Sequence, residues 1–137
     1  MVRVIYKDLP VLGPNSEVAA RAAVAAHRQG KYLGFQDALF RSNGVGAATI
    51  RSVVASLGMD YAALSKDMAD QKVRSAIERT RTLADALGID GTPAYIIGTQ
   101  LIPGAADADV LHLGAIDVLM KAHDPVVSKA PDTVWIV

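Results

Sequence analysis

From Ser16 to Gly88 the apolar residues of this chain recur largely at intervals of three and four, and on either side, at Val2 to Tyr6 and Ala94 to Ile97, they form short consecutive runs. This change of period constrains the fold most, because an amphipathic helix and a strand need incompatible spacings. Before it, Val2 to Tyr6 is a β-branched and aromatic run that ends at Leu9-Pro10, and Gly13-Pro14 punctuates the following loop. After it, Pro93 cannot continue a helix, and Ala94-Tyr95-Ile96-Ile97 has strand character. Gly98-Thr99-Gln100 makes a turn from which Leu101-Ile102 returns antiparallel.

Within the helical stretch the boundaries are marked locally. Ser16 is the expected N-cap of a first, Ala-rich helix, with Glu17 in the first turn where a carboxylate suits the helix dipole; the helix ends at Gly30. Tyr32, Phe35, Leu39 and Phe40 predict a second helix stopped by Asn43-Gly44, and Ile50, Val53, Val54 and Leu57 a third capped by Gly58. Asp60 opens a short fourth helix carrying Tyr61, Leu64 and Met68. Asp70 opens the clearest one, with Val73, Ile77, Thr80, Leu83, Ala84 and Leu87 before Gly88. A last helix opens at Asp107 or Asp109, and its wide stripe of Val110, Leu111, Leu113, Ile116, Leu119 and Met120 predicts deep burial. Pro125 and Pro131 then forbid regular helix, yet Val134 to Val137 is strongly β-forming. Strand, helices, hairpin, helix and apolar tail together make an α/β chain with a small sheet and a large helical insertion.

With 137 residues, half of them hydrophobic, the chain is long enough for one core and reads as one soluble domain. Fourteen basic residues balance fourteen acidic ones, which argues against nucleic acid or an anionic membrane as a partner. No window approaches the length of a membrane span, and the N-terminus lacks the apolar core of a signal peptide. Cysteine is absent, which removes thiolate metal sites and every cysteine nucleophile.

Candidate chemistry is sparse. His112 and His123, eleven apart on one expected helix, lie too far apart to share a metal, and His27 suits a helix C-terminus. Gly44-Val45-Gly46 lacks the lysine and third glycine of a phosphate loop and reads as a turn. Asp85, Asp90, Asp107 and Asp109 match no calcium loop, and Arg74, Arg79 and Arg81 form a solvated strip balanced by Glu78 and Asp85. No metal ligands, cofactor site or catalytic residues are expected.

Two blocks carry a resemblance. Lys7-Asp8-Leu9-Pro10-Val11-Leu12-Gly13-Pro14-Asn15-Ser16, followed by Ala19-Ala20-Arg21-Ala22-Ala23 and Gln29-Gly30-Lys31-Tyr32, resembles the bacterial DsbA-like thioredoxin-fold disulfide oxidoreductases. Leu87-Gly88-Ile89-Asp90-Gly91-Thr92-Pro93-Ala94-Tyr95 resembles their cis-proline loop, and Leu101-Ile102-Pro103-Gly104-Ala105 their second hairpin strand. The likeness extends over residues 2 to 122.

The resemblance implies a thioredoxin-like α/β fold of the DsbA type, N-terminally truncated, over residues 1–123 with a helical insertion at about 15–88. Residues 124–137 are then a tail with a candidate extra strand at 134–137. In that family a first, central strand leads to Cys-x-x-Cys at a helix N-terminus; here that unit is missing, so catalysis is expected to be dead. The vacant central position, between Val2 to Tyr6 and Ala94 to Ile97, suggests that 134–137 fills it in the same chain or a second copy, giving a homo-oligomer. The resemblance also implies a substrate-binding loop at Gly91, Thr92 and Pro93, where a cis proline turns the Thr92 backbone toward an extended peptide. Two functions stay open: an inactive member or fragment of the oxidoreductase family, and a non-redox peptide- or protein-binding module using that loop or an exposed sheet edge. Resemblance points to an extracytoplasmic setting, the absent signal away from it.

Overall fold

Arg3–Tyr6 forms β1, and five helices follow: α1 (Pro14–Arg28), α2 (Tyr32–Phe40), α3 (Ala47–Ser56), α4 (Tyr61–Met68) and α5 (Gln71–Leu87). The hairpin strands β2 (Ala94–Ile97) and β3 (Gln100–Pro103) come next, and Thr133–Ile136 forms β4. The computed structural model describes residues 3–114 and the backbone of 133–136. It divides into two compact units, residues 8–83 and residues 1–7 with 84–137.

In the helical unit, α1 supplies the packing surface. Ala19, Ala22, Ala23, Ala25 and Ala26 are buried in a cluster with Phe35, Leu39, Ile50, Val53, Val54 and Leu64. Methyl side chains let neighbouring backbones come close, so α1 packs against α2, α3 and α4 together. α1 starts two residues before the Ser16 cap expected from sequence. Pro14 occupies its first turn, where a missing N–H costs nothing, and the Gly13 carbonyl accepts from the N–H groups of Ser16 and Glu17 at 3.1 and 3.3 Å. Asp60 caps α4 as expected, its carboxylate accepting from the Ala63 N–H at 3.0 Å. Asp70 does the same for α5 through Lys72 at 2.8 Å. Val73, Ile77, Thr80 and Ala84 form the buried stripe of α5, with the Thr80 hydroxyl returned to the Ala76 carbonyl at 3.1 Å.

Polar ties hold the helix ends. Arg28 at the end of α1 reaches Asp67 of α4 at 2.5 Å and Asp70 before α5 at 2.8 Å. Gln29 makes a reciprocal pair with the Asp60 backbone, donating to its carbonyl and accepting from its N–H, both at 3.0 Å. Glu17, expected to act on the dipole of α1, pairs with Arg21 one turn on and with Arg81 of α5, which also holds Glu78. Arg81 is therefore a tie between helices and no part of a solvated strip.

The second unit is a four-stranded sheet in the order β1-β4-β2-β3. β4 lies parallel to β1, with Arg3 opposite Thr133 and Tyr6 opposite Ile136, and antiparallel to β2, with Tyr95 opposite Ile136 and Ile97 opposite Val134. The hairpin pairs Ala94 with Pro103 and Ile97 with Gln100, so Gln100 belongs to β3 and the turn is Gly98-Thr99, with Gly98 at φ 62°. A sixth helix begins at residue 108 and is described to 114. An ideal Cβ on its Gly114 would sit 3.0 Å from Cδ1 of buried Ile97, so the helix passes close to β2 and a larger residue there would require the Ile97 side chain to shift. The deep burial expected of this helix is not found in its first turns, where Val110 and Leu113 are exposed. Ile116, Leu119 and Met120 lie outside the described residues. Phe40 and Tyr61, whose spacing marks α2 and α4, are on the surface, Phe40 at 85% exposure.

These packing differences set an expected order of stabilities. Leu64→Ala is expected to cost about 2–5 kcal/mol through a cavity and Ala26→Leu about 1–3 kcal/mol through overpacking. Phe40→Ser is expected to stay within about 0.5 kcal/mol. Urea unfolding midpoints for the three variants check that order.

Candidate functional site

The loop before β2 is fixed at both ends and open in the middle. α5 stops at Gly88, whose φ of 67° suits glycine, and the Ile89 N–H returns to the Ala84 carbonyl at 2.8 Å. Ile89 is buried, Asp90 exposed, Gly91 half-buried, Thr92 exposed, Pro93 half-buried and Ala94 buried. The Thr92–Pro93 peptide bond is cis. From the other hairpin strand, the Gly104 N–H donates to the Pro93 carbonyl at 2.8 Å, next to the Ala94–Pro103 pair. Gly104 makes that bond with φ at 78°, a left-handed conformation that suits glycine. Ile89 and Ala94 are thus buried on either side of the exposed Thr92. Among the described residues nothing pairs with the Thr92 backbone.

Register places this loop at a defined edge of the sheet. β1 and β4 run parallel, and Tyr6, Ile136, Tyr95 and Ile102 share one row across the four strands. The C-terminal ends of β1 and β4 thus reach the same edge at which β2 begins.

Among the described residues no group of three His, Asp or Glu side chains could hold a metal ion, and no helix is long and apolar enough to cross a membrane. His112 is exposed and His123 lies outside the described residues. His27, in the last turn of α1, meets the Tyr32 ring edge-on at 6.4 Å. Gly44 to Gly46 is a turn, closed by the Ser42 hydroxyl on the Gly44 carbonyl at 2.9 Å. The chemistry available at Gly91, Thr92 and Pro93 is backbone hydrogen bonding.

One polar cluster escaped the sequence reading. Asp8, directly after the Tyr6-Lys7 end of β1, is half-buried and accepts from the Tyr32 hydroxyl at 3.1 Å and the Gln36 amide at 2.5 Å; that amide also lies 3.1 Å from the Tyr32 oxygen. Tyr32 and Gln36 sit one turn apart on α2, a spacing that would have marked them as a pair with nothing to name Asp8 as their partner. Burial raises the Asp8 carboxyl to about 6, and the two donors only partly oppose this.

A carboxyl whose folded pKa lies above its unfolded value contributes most below the unfolded value, and the contribution is lost as pH rises through the folded one. The shift corresponds to no more than about 3 kcal/mol, and solvent access to a half-buried side chain reduces it to about 1 kcal/mol. Asp8→Asn, neutral at every pH, is expected to be more stable than the parent by about 1 kcal/mol at pH 8. The gain should vanish below about pH 4. Thermal melts across that range check the sign.

Comparison with known proteins agrees with this geometry. Residues 4–113 match the model of the DSBA-like thioredoxin domain. A thioredoxin-like oxidoreductase from Silicibacter pomeroyi DSS-3 superposes with a TM-score of 0.80 at 35% identity, over 85% of this chain and 68% of that one. The thiol-disulfide exchange protein alpha-DsbA2 from Wolbachia pipientis gives 0.75 at 32% identity, over 85% and 63%. Among curated proteins, the Na(+)/H(+) antiporter NhaA of Herminiimonas arsenicoxydans is 29% identical over 108 residues, 78% of this chain and 17% of that protein. The chain thus spans about two thirds of the solved relatives and about a sixth of the curated one. With the family model matched over residues 4–113, most of its length, the chain belongs to the family of DSBA-like thioredoxin domains.

Proposed function

We propose that these 137 residues act as a non-redox polypeptide-binding domain, which takes up an extended chain along Gly91, Thr92 and Pro93. The observation that carries the reading is Thr92, exposed between the buried Ile89 and Ala94, with its backbone unpaired among the described residues. An extended peptide laid beside it gains backbone hydrogen bonds without needing a particular side chain. Solved relatives are named as a thioredoxin-like oxidoreductase and a thiol-disulfide exchange protein. Their chemistry does not carry over to these residues: attack on a disulfide needs a thiolate, and none of the 137 residues is cysteine.

Two measurements test this. In an insulin-reduction assay with dithiothreitol the protein is expected to give the uncatalysed rate. Titration with an unfolded, cysteine-free polypeptide is expected to shift amide signals of Gly91, Thr92 and Ala94. Thr92→Pro, which removes the N–H, is expected to weaken binding about tenfold, the value of roughly one hydrogen bond. Shifts spread evenly over the surface, or unchanged affinity in a folded Thr92→Pro variant, would sink the proposal.

A further inference from the structure

β1 has one sheet neighbour among the described residues, and it is β4. Remove Thr133–Ile136 and the sheet falls into a lone strand and a hairpin, with two rows of backbone donors and acceptors facing an empty slot. That slot is specified in register and direction, parallel to Arg3–Tyr6 and antiparallel to Ala94–Ile97. It asks for one extended, β-forming segment, and every copy of the chain carries that segment.

We propose that the slot between β1 and β2 is a strand-acceptor site, and that residues 133–136 of a second copy enter it in place of the chain's own, giving a reciprocal dimer. The same register fills both slots in such a dimer, so the ladder bonds are identical to those of the closed chain and only the connection differs. Residues 115–132 provide eighteen positions between Gly114 and Thr133, a reach of up to about 60 Å. That is enough to serve the chain's own slot or a neighbour's. With equal contacts, concentration decides. A tether of this kind holds its own strand at an effective concentration on the order of mM, so closed chains dominate at micromolar protein and exchanged dimers become comparable near 1 mM.

The absence of cysteine makes the test clean. Tyr95 and Ile136 are directly opposite in the antiparallel register, within the Cα separation that a disulfide spans. A chain carrying Tyr95→Cys and a chain carrying Ile136→Cys are mixed in denaturant, refolded together at about 1 mM and oxidised. Covalent heterodimer is expected in at least tenfold excess over a control mixture of Tyr95→Cys with Ser52→Cys on the exposed surface of α3. After refolding at about 10 μM the heterodimer is expected to fall at least tenfold. As a second measurement free of substitutions, isotopically heavy and light parent chains are co-refolded at both concentrations, and heavy–light dimers are counted by native mass spectrometry. No excess of heterodimer over the control, or heavy–light dimers absent at the higher concentration, would overturn the proposal.

Discussion

The sheet depends on the backbone ladder made by β4. Its four residues bond to β1 on one side and β2 on the other, and no other described strand joins those two. Everything the sheet does for the candidate site follows from this placement. β2 begins at the proline loop, β3 returns to pin that loop through Gly104, and β4 fixes β2 against β1. A strand at such a position is specified by its pairing more than by its own propensity.

The helical unit rests on a different device. An alanine face on α1 lets three helices pack closely against it, and the ion pairs at Arg28 and Arg81 with the amide pair at Gln29 close the ends. Exposed ion pairs of this kind add little to stability one by one. Their value is positional: Arg28 meets one carboxylate in the last turn of α4 and one just before α5, which ties the α4–α5 junction to the end of α1.

Much of this was legible in the sequence where the determinant is local. Gly58, Gly88, Asp60 and Asp70 mark helix boundaries because the signals lie within a few residues of the bonds they make. The same holds for the hairpin, which two turn residues define. Local reading failed at Pro14, where proline served as the first turn of a helix and not as loop punctuation. It also failed for Phe40 and Leu113, since periodicity assigns a residue to a helix without saying which neighbour covers each face. Asp8 was invisible for a stronger reason: its partners are 24 and 28 positions away, and nothing in an isolated Asp-Leu-Pro announces burial. At the candidate site, the residues Gly91, Thr92 and Pro93 could be named from a family resemblance, while the anchoring of the loop by Ile89, Ala94 and Gly104 emerged only from three-dimensional contacts.

The β1–β4 pairing has a kinetic consequence. Arg3 meets Thr133 about 130 positions further along the chain, whereas the helices that surround α1 lie within the next few dozen residues. Closing so wide a loop costs entropy that no local contact offsets beforehand, and pairings of this range form late. During synthesis, residues 8–83, which form one compact unit, are complete long before Thr133 leaves the ribosome. β1 is thus made about 130 residues before β4, its neighbour among the described residues, and until then has an open backbone edge that cellular chaperones would have reason to shield.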